Sequence, residues 1–372
     1  MTGNAAYDVA VVGLGVMGAA CAAYAASAGL SVVGFDARRP PHDRGSSHGE
    51  TRLLRVSYAE GEAYVPLARR ARDLWRTLGD EAGEALFEET GVLYAGPPTS
   101  ALLTGVKTAA AKHGLALSSP LNDSALAPRL QPAWEAIFED GAGFLRAEDA
   151  LCALLEKASR AGAALRPGVG ARATPDGGAI EAAGEIIRAQ RIILCVGAWL
   201  PDAAMGLAPA LAGALRLQRQ TLHWYDAGPA FTRAAGFKPF VLAAADDAWI
   251  YGFPSIDGAT LKAANHFGGA RIASPNDLDA PVDEAAAARI DAALADAFPD
   301  LGPRRRSKNC IYTMTPDEAF AIGPVRENVL VVGGMSGHGF KFAPAIGEAA
   351  ATWSATGALP DGFDMFSPAR FA

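Results

Sequence analysis

The chain has few of the residues that build a recognisable framework. Of 372 residues, 4 are cysteine and 6 histidine. The cysteines (Cys21, Cys152, Cys195, Cys310) stand far apart with no CxxC pair, which speaks against a disulfide scaffold or a zinc site. No histidine has metal-ligand spacing, so no metal is expected. Basic charge is not in excess: 33 Lys and Arg against 40 Asp and Glu leave −7, without the electrostatic footprint of nucleic-acid or anionic-membrane binding. The expected partner is a small molecule and the expected compartment the reducing cytoplasm. Internal repeats and low-complexity linkers are absent too. A hydrophobic share of 50% is ample for a core and excludes a disordered chain.

One absence points elsewhere. From Val9 to Phe35 there is no charge at all, a length that a bilayer-spanning helix would need. Five glycines (Gly13, Gly15, Gly18, Gly29, Gly34) interrupt it, and it lacks the basic start and cleavage site of a secretory signal. It reads better as strand (Asp8 to Val12), turn, small-residue helix (Ala19 to Ala28) and strand (Ser31 to Phe35).

Further elements follow from periodicity. Leu67, Ala71, Leu74 and Leu78 give a helix between Glu62 and Gly79, and Gly91 to Ala95 a strand. A helix through Leu103, Val106 and Ala110 ends at Gly114, with His113 in its last turn. Ile192 to Val196 is a buried strand running into Gly197, and Asn328 to Val332 another. Asp283 caps a helix striped by Ile290, Leu294 and Phe298.

Gly13-x-Gly15-x-x-Gly18 sits between strand and helix, with Asp36 at the end of the next strand. The first glycine permits a tight turn, the second a close approach to pyrophosphate, the third helix–strand packing, and the acid would accept from ribose hydroxyls. An acid at position 36 repels a 2′-phosphate, which disfavours NADP. A second glycine-rich segment, Gly333 to Lys341, precedes a helix start at Pro344 far along the chain. It suits a long cofactor held at two points, and favours FAD.

The run Pro41 to Arg55 (PHDRGSSHGETRLLR), Glu60 to Pro66, Tyr251 to Pro254, Leu261-Lys262 with His266, Cys310-Ile-Tyr312 and Ser336 to Lys341 together resemble the monomeric sarcosine oxidase and N-methyltryptophan oxidase family over nearly the whole chain. The resemblance implies an α/β fold: an FAD-binding Rossmann-type, glutathione-reductase-like domain (1–85, 145–217, 316–372) and an α+β substrate domain on a mixed sheet (86–144, 218–315). It implies an oxidase of a secondary-amine amino acid, such as sarcosine or another N-methyl amino acid, that passes electrons to O2 and releases H2O2. A monomer is the expected state.

The resemblance also places the site. Cys310 would carry FAD covalently through an 8α thioether, with the basic residues Arg304 to Arg306 and Lys308 either lowering the thiol's pKa or forming a solvated basic run. The cofactor shell would be Gly13, Gly15, Val16, Met17, Gly18, Asp36, Ser46, His48, Thr51, Arg52, Val169, Gly197, Cys310, Met335, Gly337, His338, Gly339 and Lys341. Arg52 and Lys341 would hold the substrate carboxylate, Lys262 would activate oxygen, and His266 would orient the amine. Arg55 ranks below Arg52, as a structural ion-pair partner. Tyr251, Tyr312 and Leu242 would line the substrate pocket; Leu242, Trp249, Ile250 and Asn265 depart from the sarcosine-oxidase pattern. Cyclic or sugar-modified amino acids as substrates, a flavin dehydrogenase using another acceptor, and a nicotinamide dehydrogenase are the alternatives.

Overall fold

A computed structural model describes residues 6–119, 128–244 and 248–372; positions 1–5, 120–127 and 245–247 of the expected division lie outside the described residues. The uncharged N-terminal stretch forms a strand, Tyr7–Val12, a helix, Val16–Ser27, and a second strand, Val32–Asp36. The two strands pair in parallel, and both are buried from Val9 to Val12 and from Val32 to Phe35, which is why they carry no alternation there. Among the described residues no helix is long and apolar enough to cross a membrane.

This unit is the centre of a six-stranded sheet ordered Ala321–Arg326, Val329–Gly333, Ala189–Leu194, Tyr7–Val12, Val32–Asp36 and Ala164–Pro167. All pairings are parallel except the outermost hairpin, Ala321–Arg326 with Val329–Gly333. The helices Val16–Ser27, Ala147–Arg160, Val65–Ala82 and Ala343–Thr356 meet in one core on this sheet. Alanine dominates the first helix, so its neighbours approach closely: a Cβ on Gly347 would stand 2.7 Å from the Ala20 backbone.

An eight-stranded mixed sheet is the second large layer. Its spatial order is Ala270–Ile272, Arg216–Asp226, Thr260–Asn265, Trp249–Gly252, Phe240–Ala243, Val92–Gly96 and Glu135–Glu139, with Arg304–Met314 on the free side of Arg216–Asp226. One face packs the aromatic cluster Phe231, Phe237, Phe240 and Phe298 under the helix Glu284–Ala297. That helix is capped by Asp283, whose side chain accepts from the Ala286 amide. The other face packs Val92, Tyr94, Val241 and Trp249 against the helix Ala101–His113. Two three-stranded sheets complete the described strands, one of Thr51–Leu54, Gly143–Arg146 and Phe87–Glu88, the other of Glu185–Ile187, Ile180–Ala182 and Ala171–Ala173.

Candidate active site

A cavity of about 570 Å³ runs from the glycine turn at Gly13 to the inner face of the eight-stranded sheet. At its near end Gly13 has φ +90°, and a Cβ there would lie 2.5 Å from the Cys195 carbonyl oxygen. A Cβ on Gly18 would stand 1.7 Å from the Gly13 carbonyl oxygen, so Gly18 serves helix–turn packing and does not line the cavity. Gly15, Val16 and Met17 do line it, at the start of the helix Val16–Ser27. The Ser47 hydroxyl accepts from the Val16 amide at 3.1 Å. Asp36 accepts from the Leu14 and Arg38 amides at 2.9 and 2.8 Å. Burial would raise its pKa, but these bonds and His42 beside it hold the carboxyl below the usual range.

The middle of the cavity is lined by Ser46, Gly197 and Met335 together with Gly170 to Arg172. Val169 is instead half-buried against the apolar cluster of Val33 and Ala189. Met335 leads into the glycine-rich segment. Gly337 has φ +82°, and a Cβ there would meet the Tyr312 ring at 2.3 Å, so only glycine lets this loop lie on that tyrosine. Gly339 and His338 follow, then Phe340–Phe342, a short 3₁₀ turn carrying Lys341.

At the far end the sheet contributes Val241, Trp249, Tyr251, Cys310 and Tyr312, while His266 stacks on Trp249 at 6.2 Å between ring centres. Leu242 is not among the lining residues. Alternation along Phe240–Ala243 turns it into the aromatic core on the opposite face, with Ile250, and presents Val241 to the cavity. Of the four positions that depart from the sarcosine-oxidase pattern, Trp249 alone lines it; Asn265 accepts from the Phe267 amide. Burial pushes the His266 pKa down to about 4.

The cationic groups differ in how they are spent. Arg52 lines the cavity, but its terminal nitrogens donate to the carbonyls of Thr51, Ser46 and His48 at 2.8, 2.8 and 2.6 Å. Arg55, ranked below it from sequence, lies 4.8 Å over the Tyr58 ring, is paired with Glu60, and keeps a buried Nη1 with no hydrogen-bond partner. Arg55, Glu60 and Lys341 all line the cavity. Lys341 Nζ donates to the His338 carbonyl at 2.8 Å; burial, with Arg55 and Arg52 opposing its charge, lowers its pKa to about 7. Arg52 and Lys341 both line the cavity, and it is Arg55 whose guanidinium shares the Tyr58 ring with Lys341.

Lys262 sits behind this wall. It is buried, donates to the Gly49 and Thr51 carbonyls and stands 4.6 Å over the Phe253 ring. His48 and Thr51 lie in the same layer with unpartnered polar atoms, Nε2 and Oγ1. Burial, aided by Arg52, Lys308 and Lys262, holds His48 neutral with a pKa of about 3. Cys310 is 2% exposed. Burial raises its thiol pKa, while Arg52 and Lys262 pull it down. The basic run upstream does not act on it: Arg304 pairs with Glu284 and Asp291, Arg305 with Asp226, Arg306 with Glu50 and Lys308 with Asp43. These acids lie far away along the chain and were not visible as partners in sequence.

An FAD-dependent oxidoreductase family model matches residues 8–353. The chain belongs to this family. The oxidoreductase is 34% identical over 377 residues to N-methyl-L-tryptophan oxidase of Yersinia pestis (strain Pestoides F), covering 98% of this chain and 99% of that one. Its fold is similar to that of NikD, an unusual amino acid oxidase essential for nikkomycin biosynthesis, with a TM-score of 0.84 at 22% identity over 97% of each chain. It is also similar to L-proline dehydrogenase from P. horikoshii, with a TM-score of 0.82 at 21% identity, covering 98% and 97%. The residues present fit the family's cofactor: the glycine turn leaves no side chain at Gly13 or Gly15, a helix N-terminus follows, and the cavity continues from there to Cys310. Among the described residues no group of three His, Cys, Asp or Glu could hold a metal.

Proposed function

We propose that this oxidoreductase oxidises a secondary-amine amino acid of the N-methyl class with O2 as acceptor. The observation that carries the reading is that Arg55, Lys341 and Cys310 line one cavity, with the Arg55 and Lys341 cations both set against the Tyr58 ring. A guanidinium and an ammonium on the wall of one cavity are a pair that a carboxylate would satisfy. The carboxylate is therefore assigned to Arg55 and Lys341, while Arg52 braces the Ser46–Thr51 loop through its carbonyls. The similarity to N-methyl-L-tryptophan oxidase supports the substrate class.

Bound FAD would supply the two-electron acceptor, held by Gly13 to Met17, Asp36, Ser46, Met335 to Gly339 and, through sulfur, Cys310. The chain's own part is orientation. Arg55 and Lys341 fix one end of the substrate, and Trp249, Tyr251, Tyr312 and His266 enclose the other. Three cations around one pocket favour the neutral form of the bound amine, the form that reacts. Neutral His266 then accepts or orients without adding charge. Residues 1–85, 145–217 and 316–372 would form the FAD-binding part and 86–144 and 218–315 the substrate part. In support, the six-stranded sheet takes strands from the first set alone. The monomeric state belongs to the same proposal.

A peroxide assay over a panel of N-methyl and cyclic amino acids, each with its methyl ester, tests this reading. Turnover of an N-methyl acid with loss on esterification is expected; equal turnover of acid and ester would remove the carboxylate assignment. Lys262, buried behind the loop and on the same sheet as Cys310, is assigned to oxygen. Lys262→Met should leave anaerobic reduction by substrate intact while oxygen reactivity falls about 100-fold, the typical cost of one preorganised electrostatic group. Stopped-flow measurement of the two half-reactions separates them.

A further inference from the structure

Two cations that receive one carboxylate repel each other before it arrives. Both are set against one aromatic side chain. Tyr58 is fully buried. The Arg55 guanidinium lies 4.8 Å from its ring centre and Lys341 Nζ 5.1 Å, so the two cations share one aromatic ring. The Tyr58 hydroxyl is 3.4 Å from Lys341 Nζ and 2.7 Å from His338 Nδ1.

The direction of that last bond can be assigned. His338 Nε2 lies 3.0 Å from the Glu318 carbonyl oxygen, which only accepts, so Nε2 carries the proton. The ring is buried and neutral, its pKa lowered to about 3. Nδ1 is then an acceptor, Tyr58 must donate to it, and the hydroxyl oxygen is left facing Lys341 with lone pairs available.

Resting on the carboxylate seat proposed above, we propose that Tyr58, oriented by His338, is a positioning residue that holds Arg55 and Lys341 together as one carboxylate receptor. Neither touches the reacting bond. Tyr58 supplies a ring face to both cations and an oriented oxygen to one. His338 fixes that oxygen, and the Glu318 carbonyl fixes His338. The other charged or titratable groups facing Lys341 are Glu60, Arg52 and His266.

The test uses the flavin-loaded enzyme and two probes, indole-3-acetate and its methylamide, titrated by flavin absorbance. Tyr58→Phe keeps the ring and removes the oxygen; it should weaken indole-3-acetate binding about tenfold, the usual cost of a lost hydrogen bond to a charged group, and leave the amide unchanged. His338→Leu should reproduce this loss, and His338→Asn, whose amide oxygen can replace Nδ1 as acceptor, should recover most of it. Flavin content and Tm separate these effects from misfolding. Should the wild type prefer the acid and Tyr58→Phe keep that preference in full, the positioning role is overturned while the seat stands. Should the wild type bind acid and amide alike, the seat and this inference fall together. Equal weakening of both probes without change in Tm would also overturn it.

Discussion

Acid-precipitated wild-type protein should be yellow, and Cys310→Ala should give a colourless pellet with its flavin in the supernatant. Attachment requires a thiolate, and Cys310 is a buried thiol with a raised pKa. The cations that bring the thiolate within reach are Arg52 and Lys262, not the basic residues two to six positions upstream, which are consumed by Asp43, Glu50, Asp226, Glu284 and Asp291. Lys308→Ala should therefore retain the colour. The cavity has a second cysteine, Cys195, at the opposite, glycine-turn end, where its sulfur lies 3.9 Å from that of Cys21. It provides the control: a pellet that loses its colour in Cys195→Ser and keeps it in Cys310→Ala would reverse the assignment.

Lys341→Met is expected to lower kcat/KM for an N-methyl amino acid about 100-fold, and Arg55→Lys about tenfold, from the loss of charge-assisted bonds. The methyl ester should lose little in either variant. Arg55→Lys is the informative choice because Glu60 keeps a cationic neighbour; removing the charge altogether would strand a buried carboxylate. The pH dependence has a definite sign. Lys341 has a lowered pKa of about 7, so its ammonium is present below that pH and lost above it. The limb of kcat/KM for the acid should fall as pH rises through about 7, and Lys341→Met should flatten it. The neighbours do not titrate there: burial would raise Glu60, but Arg55, His338, His266 and Lys341 hold it down to about 2, and His266 and His338 are lowered to about 4 and 3. Equal losses for acid and ester would overturn the carboxylate assignment.

Local patterns were the legible part of this protein. The glycine spacing, the charge-free strands and the capped helix after Asp283 each lie within one or two elements, where sequence separation and spatial separation agree. The family resemblance then supplied the fold and the residue types of the site. Parity was harder to read. A four-residue apolar strand, Phe240–Ala243, is buried on both faces, so nothing in its composition separates Leu242, which joins the aromatic core, from Val241, which faces the cavity. Arg52 and Arg55 posed a similar problem: three residues apart in one polar run, they are told apart only by what surrounds them. Carbonyls of the residue's own loop satisfy Arg52, while Arg55 meets Tyr58 and Glu60. Tyr58 itself carried no signal, because a fully buried tyrosine reads as core until its hydroxyl is seen against a histidine more than 200 positions away.

The strand Arg304–Met314 is paired antiparallel with Arg216–Asp226 from one end to the other, Cys310 opposite Gln220. A slip of one residue would turn Cys310 and Tyr312 over and send Ile311, now packed with Ala198 and Leu278, in their place. The sulfur is thus presented only when these two strands, of 11 residues each, have closed in their final register. The proposed thioether would accordingly form last, as a chemical seal on a polypeptide already folded and a dinucleotide already docked.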